Sequence, residues 1–460
     1  MRLPTERVWA VWRRVYSLSW PVMTEQVLRT LMRTVDMIVA GFFSPAAVAA
    51  VGLADIYARL PLWIGLGTGD AAIALSSQDT GSGATANRNE AVTQALLLGA
   101  LTGIPFVLFG LLLNEWAIGV LGAESEVVAL GAAYLAIILV SSPARHVVLI
   151  SARSIQGTGD TLTPMYVNGA TNVLNISLTI VLAFGIGPAP ELSVIGIAAA
   201  TAAADVLSAI AFLAVIASPR CELEFALPRQ WIIAKQLVVI GTPRVAEGLT
   251  ELVAEFPFNA ILLVFGTEVN AAYHIGRRMY QQVADPLARG YSVTANILVG
   301  QAVGRGEHDV AYFNGWSTAS LAVLTIGGLS AALFVGAEQF VLLFTRDPAT
   351  VEYAASFAQA YALAAVFIAL FESVSGALRG GSETRSPFAA KLTGTFGMLL
   401  GVTYVFGIQL EYGVVAAYVA IVADFLWRNV VVCTTFVRQS WLERGATMMS
   451  ERGSAPADED

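Results

Sequence analysis

Charge is scarce in this 460-residue chain. Asp, Glu, Lys and Arg make up 13% of it, against about 25% in a soluble domain. The shortage excludes a sizeable water-exposed domain. Lysine is scarcer still: Lys235 and Lys391 are the only two among 26 Lys and Arg residues. There are two cysteines, Cys221 and Cys433, far apart, so no disulfide is expected. The three histidines, His146, His274 and His308, are scattered, with no H-E-x-x-H pair and no Cys cluster, which leaves a metal site unsupported. No G-x-x-x-x-G-K-[ST] loop occurs, excluding an ATPase within the chain. No G-x-S-x-G elbow occurs either. The first apolar stretch is long, carries internal charges and has no small-residue cleavage site, so no cleavable signal peptide is expected. No enzyme, cofactor or nucleic-acid partner is indicated.

Apolar sequence is abundant: 56% of residues are hydrophobic. A helical span needs about 20 mostly apolar residues, and the apolar stretches accommodate about twelve, centred near residues 30, 60, 102, 141, 175, 205, 250, 284, 325, 365, 398 and 425. The chain also repeats itself. Gly157-Thr-Gly-Asp-Thr-Leu-Thr-Pro164 returns as Gly380-Gly-Ser-Glu-Thr-Arg-Ser-Pro387, a shift of 223 from 157 to 380. Gln78, Gly81 and Gly83 return as Gln301, Gly304 and Gly306, and Pro21 returns as Pro243. One bundle is written twice. The expected fold is therefore an all-α polytopic membrane protein of two pseudo-symmetric six-helix bundles around a central cleft. Transporters built this way hold their sites at the repeat interface, and one repeat rocks against the other. The expected lobes are 1–218 and 233–438, joined by a linker at 219–232 that carries Pro219, Arg220, Pro228 and Arg229. Residues 439–460 read as a tail without fixed structure, acidic at its end.

Arg and Lys collect on the cytoplasmic side of a membrane. The N-terminus carries Arg2, Arg7, Arg13 and Arg14, and the even-numbered connections carry Arg88, Arg153, Arg220, Arg305, Arg379 and Arg385. The opposite connections carry Glu115, Glu124, Glu191, Glu268, Glu338 and Glu411. Both termini are expected in the cytoplasm of a multi-pass plasma-membrane protein. It is expected to act as a monomer, with the bilayer and a small-molecule substrate as partners.

A charge at mid-bilayer costs about 2.5–3.5 kcal/mol on insertion scales and marks function by default. Glu25, Arg29, Arg33 and Asp36 lie four, four and three residues apart, which puts them on one helix face. Glu247, Glu251 and Glu255 do the same on the repeat-related helix, so Glu25 maps to Glu247, Arg29 to Glu251 and Arg33 to Glu255. These faces are expected to line the cleft, with Arg29, Arg33 and Glu247 at an inter-lobe gate and the arginines pairing with Glu251 and Glu255 in at least one state. Asp36 maps to Phe258 and so has no acidic counterpart. It is the candidate for trading H⁺ or Na⁺ against substrate. Asp55–Arg59 and Asp424–Arg428 are each four apart and read as structural pairs within helices; Asp285–Arg289 has the same spacing and, with Arg278 seven residues before Asp285, forms a charged stripe that either pairs within its helix or faces the cleft. Asp205 has no local partner, Asp70 and Arg244 fall where water is available, and Arg145 and Glu372 have no evident place. Asp160 and Thr161 can cap the helix that follows a tight Gly-rich turn.

Five stretches together resemble the multidrug and toxin extrusion (MATE) family of the MOP flippase superfamily: Leu31-Met-Arg-Thr-Val-Asp-Met-Ile-Val-Ala-Gly41, Ala49-Ala-Val-Gly-Leu53, Gln156-Gly-Thr-Gly-Asp-Thr161, Asn175-Ile-Ser-Leu-Thr179 and Gly196–Thr201. The resemblance implies export of organic cations in exchange for H⁺ or Na⁺ through a V-shaped cleft. It implies that Asp36 is the coupling aspartate, with Asn175 and Thr201 beside it, and that Glu251 is an acidic residue of sodium-coupled members. A coupling Na⁺ would then sit at Asp36 or Glu251. Thr179 stands where archaeal members often carry an aspartate, and Asp205, one turn beyond Thr201, is the candidate to replace that charge. Glu255 completes the set of candidate ion- or substrate-binding residues. Arg29 and Arg33 are not typical of a cation exporter and favour anionic or zwitterionic substrates. A lipid or lipid-linked saccharide flippase of the same superfamily is the alternative reading.

Overall fold

The structure is a computed structural model and describes residues 4–454. Sixteen α-helices and one π-helical stretch account for it, with no strand among the described residues. The first half contains α1 (Pro4–Phe43), α2 (Pro45–Ser82), α3 (Thr85–Leu112), α4 (Asn114–Gly119), α5 (Ser125–Val140), α6 (Ser142–Thr158), α7 (Leu162–Phe184) and α8 (Ser193–Ile216). The second contains α9 (Trp231–Phe265), α10 (Thr267–Gly304), α11 (His308–Val335), α12 (Ala337–Val341), α13 (Pro348–Gly380), α14 (Arg385–Thr393), the π-helical stretch Gly394–Gln409, α15 (Val415–Arg438) and α16 (Ser440–Glu451).

The element boundaries reproduce the sequence repeat. α2 and α10 begin at 45 and 267, α3 and α11 at 85 and 308, α7 and α14 at 162 and 385, and α8 and α15 at 193 and 415. Each shift is 222 or 223. Even the short α4 has its counterpart in α12. The packing repeats as well. A methyl group on Gly157 would lie 3.1 Å from the Ile73 carbonyl oxygen, and one on Gly380 would lie 2.6 Å from that of Asn296. Both partners of the contact are matched by the repeat, so the repeated glycine is one that lets two helix backbones approach closely.

Nine described helices are long and apolar enough to cross a membrane, or ten when α5 and α6, bent by 47° at their junction, are taken as one span. α1 and α10 are long enough, at 40 and 38 residues, but too polar to enter that count. With them the number is the expected twelve.

Contacts divide the chain into two compact units. The first holds residues 24–80 and 84–245; the second holds, of the described residues, 4–23, 81–83 and 246–454. The first unit buries an aliphatic core that includes Val51, Ile118, Leu135, Leu139 and Ile197. The second buries an aromatic one, in which Tyr273 meets Phe258 at 5.0 Å and Phe357 at 5.5 Å between ring centroids.

The expectation of a structureless tail from residue 439 is corrected by α16. Trp441, Leu442 and Met449 are buried on one side of it. The Trp441 ring stacks on Phe436 at 5.0 Å and its indole N–H donates to the Phe436 carbonyl at 3.0 Å. That aromatic anchor offsets the ordering entropy that polar composition alone would not. Residues 455–460 lie outside the described residues.

Candidate functional site

In the first unit, three helices bring four of the expected residues together. Asp36 on α1 accepts a hydrogen bond from the Thr179 hydroxyl on α7 at 3.2 Å. The same hydroxyl lies 3.5 Å from the Asn175 side-chain oxygen, because positions four apart share a helix face. The Asn175 amide donates to the Thr201 hydroxyl on α8 at 3.2 Å. All four side chains are buried, Asp36 at 6% exposure. Arg33 and Tyr134 stand close enough to act on Asp36 electrostatically. The carboxylate thus has one hydroxyl donor, with the side-chain oxygens of Asn175 and Thr201 behind it.

Asp205 does not join that network through any of its hydrogen bonds. It accepts from Ser141 at 3.0 Å and lies 3.9 Å from the Arg145 guanidinium. Arg145, which had no evident place in the sequence, is thus its counter-charge. Glu25 takes Arg29 at 3.3 Å and the Gln156 amide at 3.3 Å. Asp70 and Arg244, expected near water, are buried and paired at 3.0 Å, with Arg153 at 3.8 Å on the same carboxylate.

In the second unit, Glu247 takes Arg379 at 2.9 Å, both side chains being almost fully buried. Glu251 bridges Lys391 at 2.8 Å and Arg277 at 3.1 Å, and Glu255 stands 4.0 Å from the same Arg277. Arg29 and Glu251 therefore hold partners inside their own units in this structure. The helix-internal pairs read from spacing all form: Asp55–Arg59 at 3.2 Å, Asp285–Arg289 at 2.8 Å, and Asp424–Arg428. Asp160 caps α7, accepting from the Leu162 and Thr163 amides at 3.0 and 2.9 Å.

Sequence reasoning missed Lys391, Arg277, Ser141 and Tyr134. For Lys391 a signal existed: it is the repeat counterpart of Asn168, so the repeat flags a charge gained at a buried position. Arg277 gave one too, as the counterpart of Asp55 under the shift of 222 that relates α2 to α10, whereas Ser141 and Tyr134 give none. Among the described residues no group of three or more His, Cys, Asp or Glu side chains could hold a metal ion. The buried His146 ring faces two carbonyls instead, Gly99 at 2.8 Å and Pro61 at 2.7 Å, and serves as a cross-brace between α2, α3 and α6.

A doubled helical bundle with repeated internal packing and buried charges inside its spans defines a multi-pass membrane transporter. Comparison with known proteins makes this specific. The MatE family model matches twice, over residues 21–181 and 243–405, so that both matches begin at the repeated proline, Pro21 in one half and Pro243 in the other. The "Probable multidrug resistance protein NorM" of Thermotoga maritima is 28% identical over 98% of this chain and 97% of its own. Among solved structures, a MATE protein in complex with MaD3S superimposes with a TM-score of 0.86 at 19% identity, covering 94% of this chain and 96% of that one. A MOP superfamily transporter from Pyrococcus furiosus gives 0.85 at 18% identity, covering 95% and 96%. The chain belongs to the MatE family and is a transporter, not an enzyme.

Proposed function

We propose that the protein is a secondary antiporter that exports small organic molecules, of the drug-like kind named for its NorM relatives, in exchange for H⁺ or Na⁺. The carrying observation is the buried Asp36 tied through Thr179 to Asn175 and Thr201. As a carboxylate, Asp36 accepts from Thr179. Protonated, it gains an O–H donor that needs an acceptor, while its other oxygen can still accept from Thr179. With Na⁺, the oxygens of Asp36, Asn175, Thr179 and Thr201 are the available ligands. Either event removes one negative charge from the unit and reorders the α1–α7 contact.

Coupling requires that ion and substrate are not both well bound at once, so each lowers the other's affinity by the same factor. The two states then alternate between the membrane faces as the repeats rock. The excess of Arg at the termini and even-numbered connections supports an orientation with both ends in the cytoplasm, in the plasma membrane. The test is ion-driven efflux from proteoliposomes with pH and Na⁺ varied separately. Asp36→Asn is expected to abolish efflux in a protein that still purifies as a folded, monodisperse species. Undiminished efflux by that variant overturns the role of Asp36.

A further inference from the structure

The arginines inside the spans of the first unit are not all held alike. Arg244 is locked to Asp70 at 3.0 Å and covers the Trp63 ring. Arg29 and Arg145 make longer ion contacts and, among the described residues, have no ring over them. Arg29 gives one nitrogen to Glu25 at 3.3 Å. The nearest ion contact of Arg145 is 3.9 Å from Asp205 and is made through Nε, beyond hydrogen-bonding distance. Neither side chain makes any other hydrogen bond or ion pair among the described residues.

A guanidinium carries five N–H donors in a fixed fork, so most of this donor capacity is unused. The two side chains keep 24% and 18% of their surface open, which gives a ligand access. Arg29 also feels the positive charges of Arg145 and Arg153, against the negative charges of Glu25 and Asp205. Arg153 is itself balanced by Asp70 at 3.8 Å, so what remains is the mutual repulsion of Arg29 and Arg145, each facing a single carboxylate in a poorly screened interior. An acidic group seated between them relieves the repulsion and satisfies the forks bidentately.

We infer that Arg29 and Arg145 form a binding subsite for an acidic group, carboxylate or phosphate, on a small-molecule substrate. This rests on the export function proposed above and names a chemical feature of the substrate. Arg29 and Asp36 lie about two turns apart on α1. Acid recognition and ion coupling therefore fall to different residues of one unit: Arg29 and Arg145 for the first, Asp36, Thr179, Asn175 and Thr201 for the second. Such a division lets one site read the cargo while the other reads the ion.

The test uses two fluorescent xanthene dyes that differ in one group, a zwitterion with a free carboxylate and its methyl ester. Binding is followed by anisotropy on the purified full-length protein, and efflux is followed in proteoliposomes. Wild type should bind the acid about tenfold more tightly than the ester, and Arg29→Gln and Arg145→Gln should each weaken the acid far more than the ester, so that the preference is lost. Arg145→Lys, which keeps the charge and loses the fork, should fall between them and guards against a folding artefact.

Equal affinity for acid and ester in wild type, or equal losses for both dyes in the variants, overturns the subsite. If ester efflux is ion-driven but the acid preference is absent, the subsite fails and the antiport reading stands. If the acid preference is present and depends on the arginines while no ion gradient drives either dye, the antiport reading fails and the subsite stands. A third arm adds a fluorescent phosphatidylglycerol to the vesicles. If the lipid, and not the dye, depends on Arg29 and Arg145 for binding and translocation, the acidic group belongs to a lipid headgroup and the small-molecule subsite is overturned.

Discussion

The two units occupy the same repeat positions with different chemistry. In the first, Glu25 on α1 bonds the neutral Gln156 on α6 and an arginine one turn along its own helix. In the second, the corresponding Glu247 on α9 bonds Arg379 on α13, and Glu251 bonds Lys391 on α14. The repeat maps Gln156 to Arg379, Asn168 to Lys391 and Arg29 to Glu251. At these positions both sets are neutral: one glutamate with one arginine in the first unit, two glutamates with one arginine and one lysine in the second. Duplication kept the backbone contact and the charge balance and redistributed the charges. The second unit ties three helices together with ion pairs. The first joins α1 to α6 at the same place through an amide hydrogen bond. A similar contrast holds at Asp36, whose counterpart Phe258 is packed in the aromatic core at 2% exposure. The unit with weaker ties at these positions is the one that carries the Asp36 polar network.

The largest effect that would break this comparison lies at the buried pair of the second unit. Arg379→Gln, which writes the first unit's residue into the second, strands Glu247 and should cost about 3–5 kcal/mol, read as a lowered melting temperature in detergent. The double change Glu247→Gln with Arg379→Gln removes both charges and should recover most of that loss. In the first unit, Gln156→Ala should cost less, about 1.5–3 kcal/mol for a hydrogen bond to a charged group, because Arg29 still faces Glu25. Equal costs for Arg379→Gln and Gln156→Ala would dissolve the distinction between the units.

A smaller effect sharpens it at the helix caps. Asp347 caps α13 by accepting from the Thr350 amide at 2.9 Å, while its repeat counterpart Glu124 precedes α5 without a side-chain capping bond. Those Thr350 hydrogen bonds hold the Asp347 carboxyl below its ordinary range. A depressed folded-state pKa contributes stability above the unfolded value and loses it as pH falls through the folded one. Asp347→Ala should therefore lower the melting temperature slightly at neutral pH and not below the carboxylate range. Glu124→Ala should be silent at both. A pH-independent loss for Asp347→Ala would assign its role to packing instead of to the charged cap.

Much of the fold was readable because the repeat supplies its own check: two independent stretches must start their helices at matched places, and α2 with α10, α3 with α11, α7 with α14 and α8 with α15 do. Charge pairs four residues apart, such as Asp285–Arg289, were readable because one helix fixes both positions. Pairs between helices were not. Spacing on α9 shows that Glu247, Glu251 and Glu255 share a face, but nothing local shows that Arg379 or Lys391 will meet it. The meeting of Asp36 with Thr179 was expected only through the family resemblance, since 143 residues separate them. The order in α16 was missed because it depends on Trp441 finding Phe436, a tertiary event that composition does not report. The 47° bend between α5 and α6 against the unbroken α13 was also invisible from the repeat, because it breaks the repeat.

The central claim is that Asp36 is the group whose ion is exchanged for substrate. It is tested most directly by adding saturating substrate to the purified protein in weakly buffered solution and measuring the H⁺ and Na⁺ released. Wild type should release one of the two ions on binding, and Asp36→Asn should bind substrate and release neither. Equal release from both proteins would contradict the account.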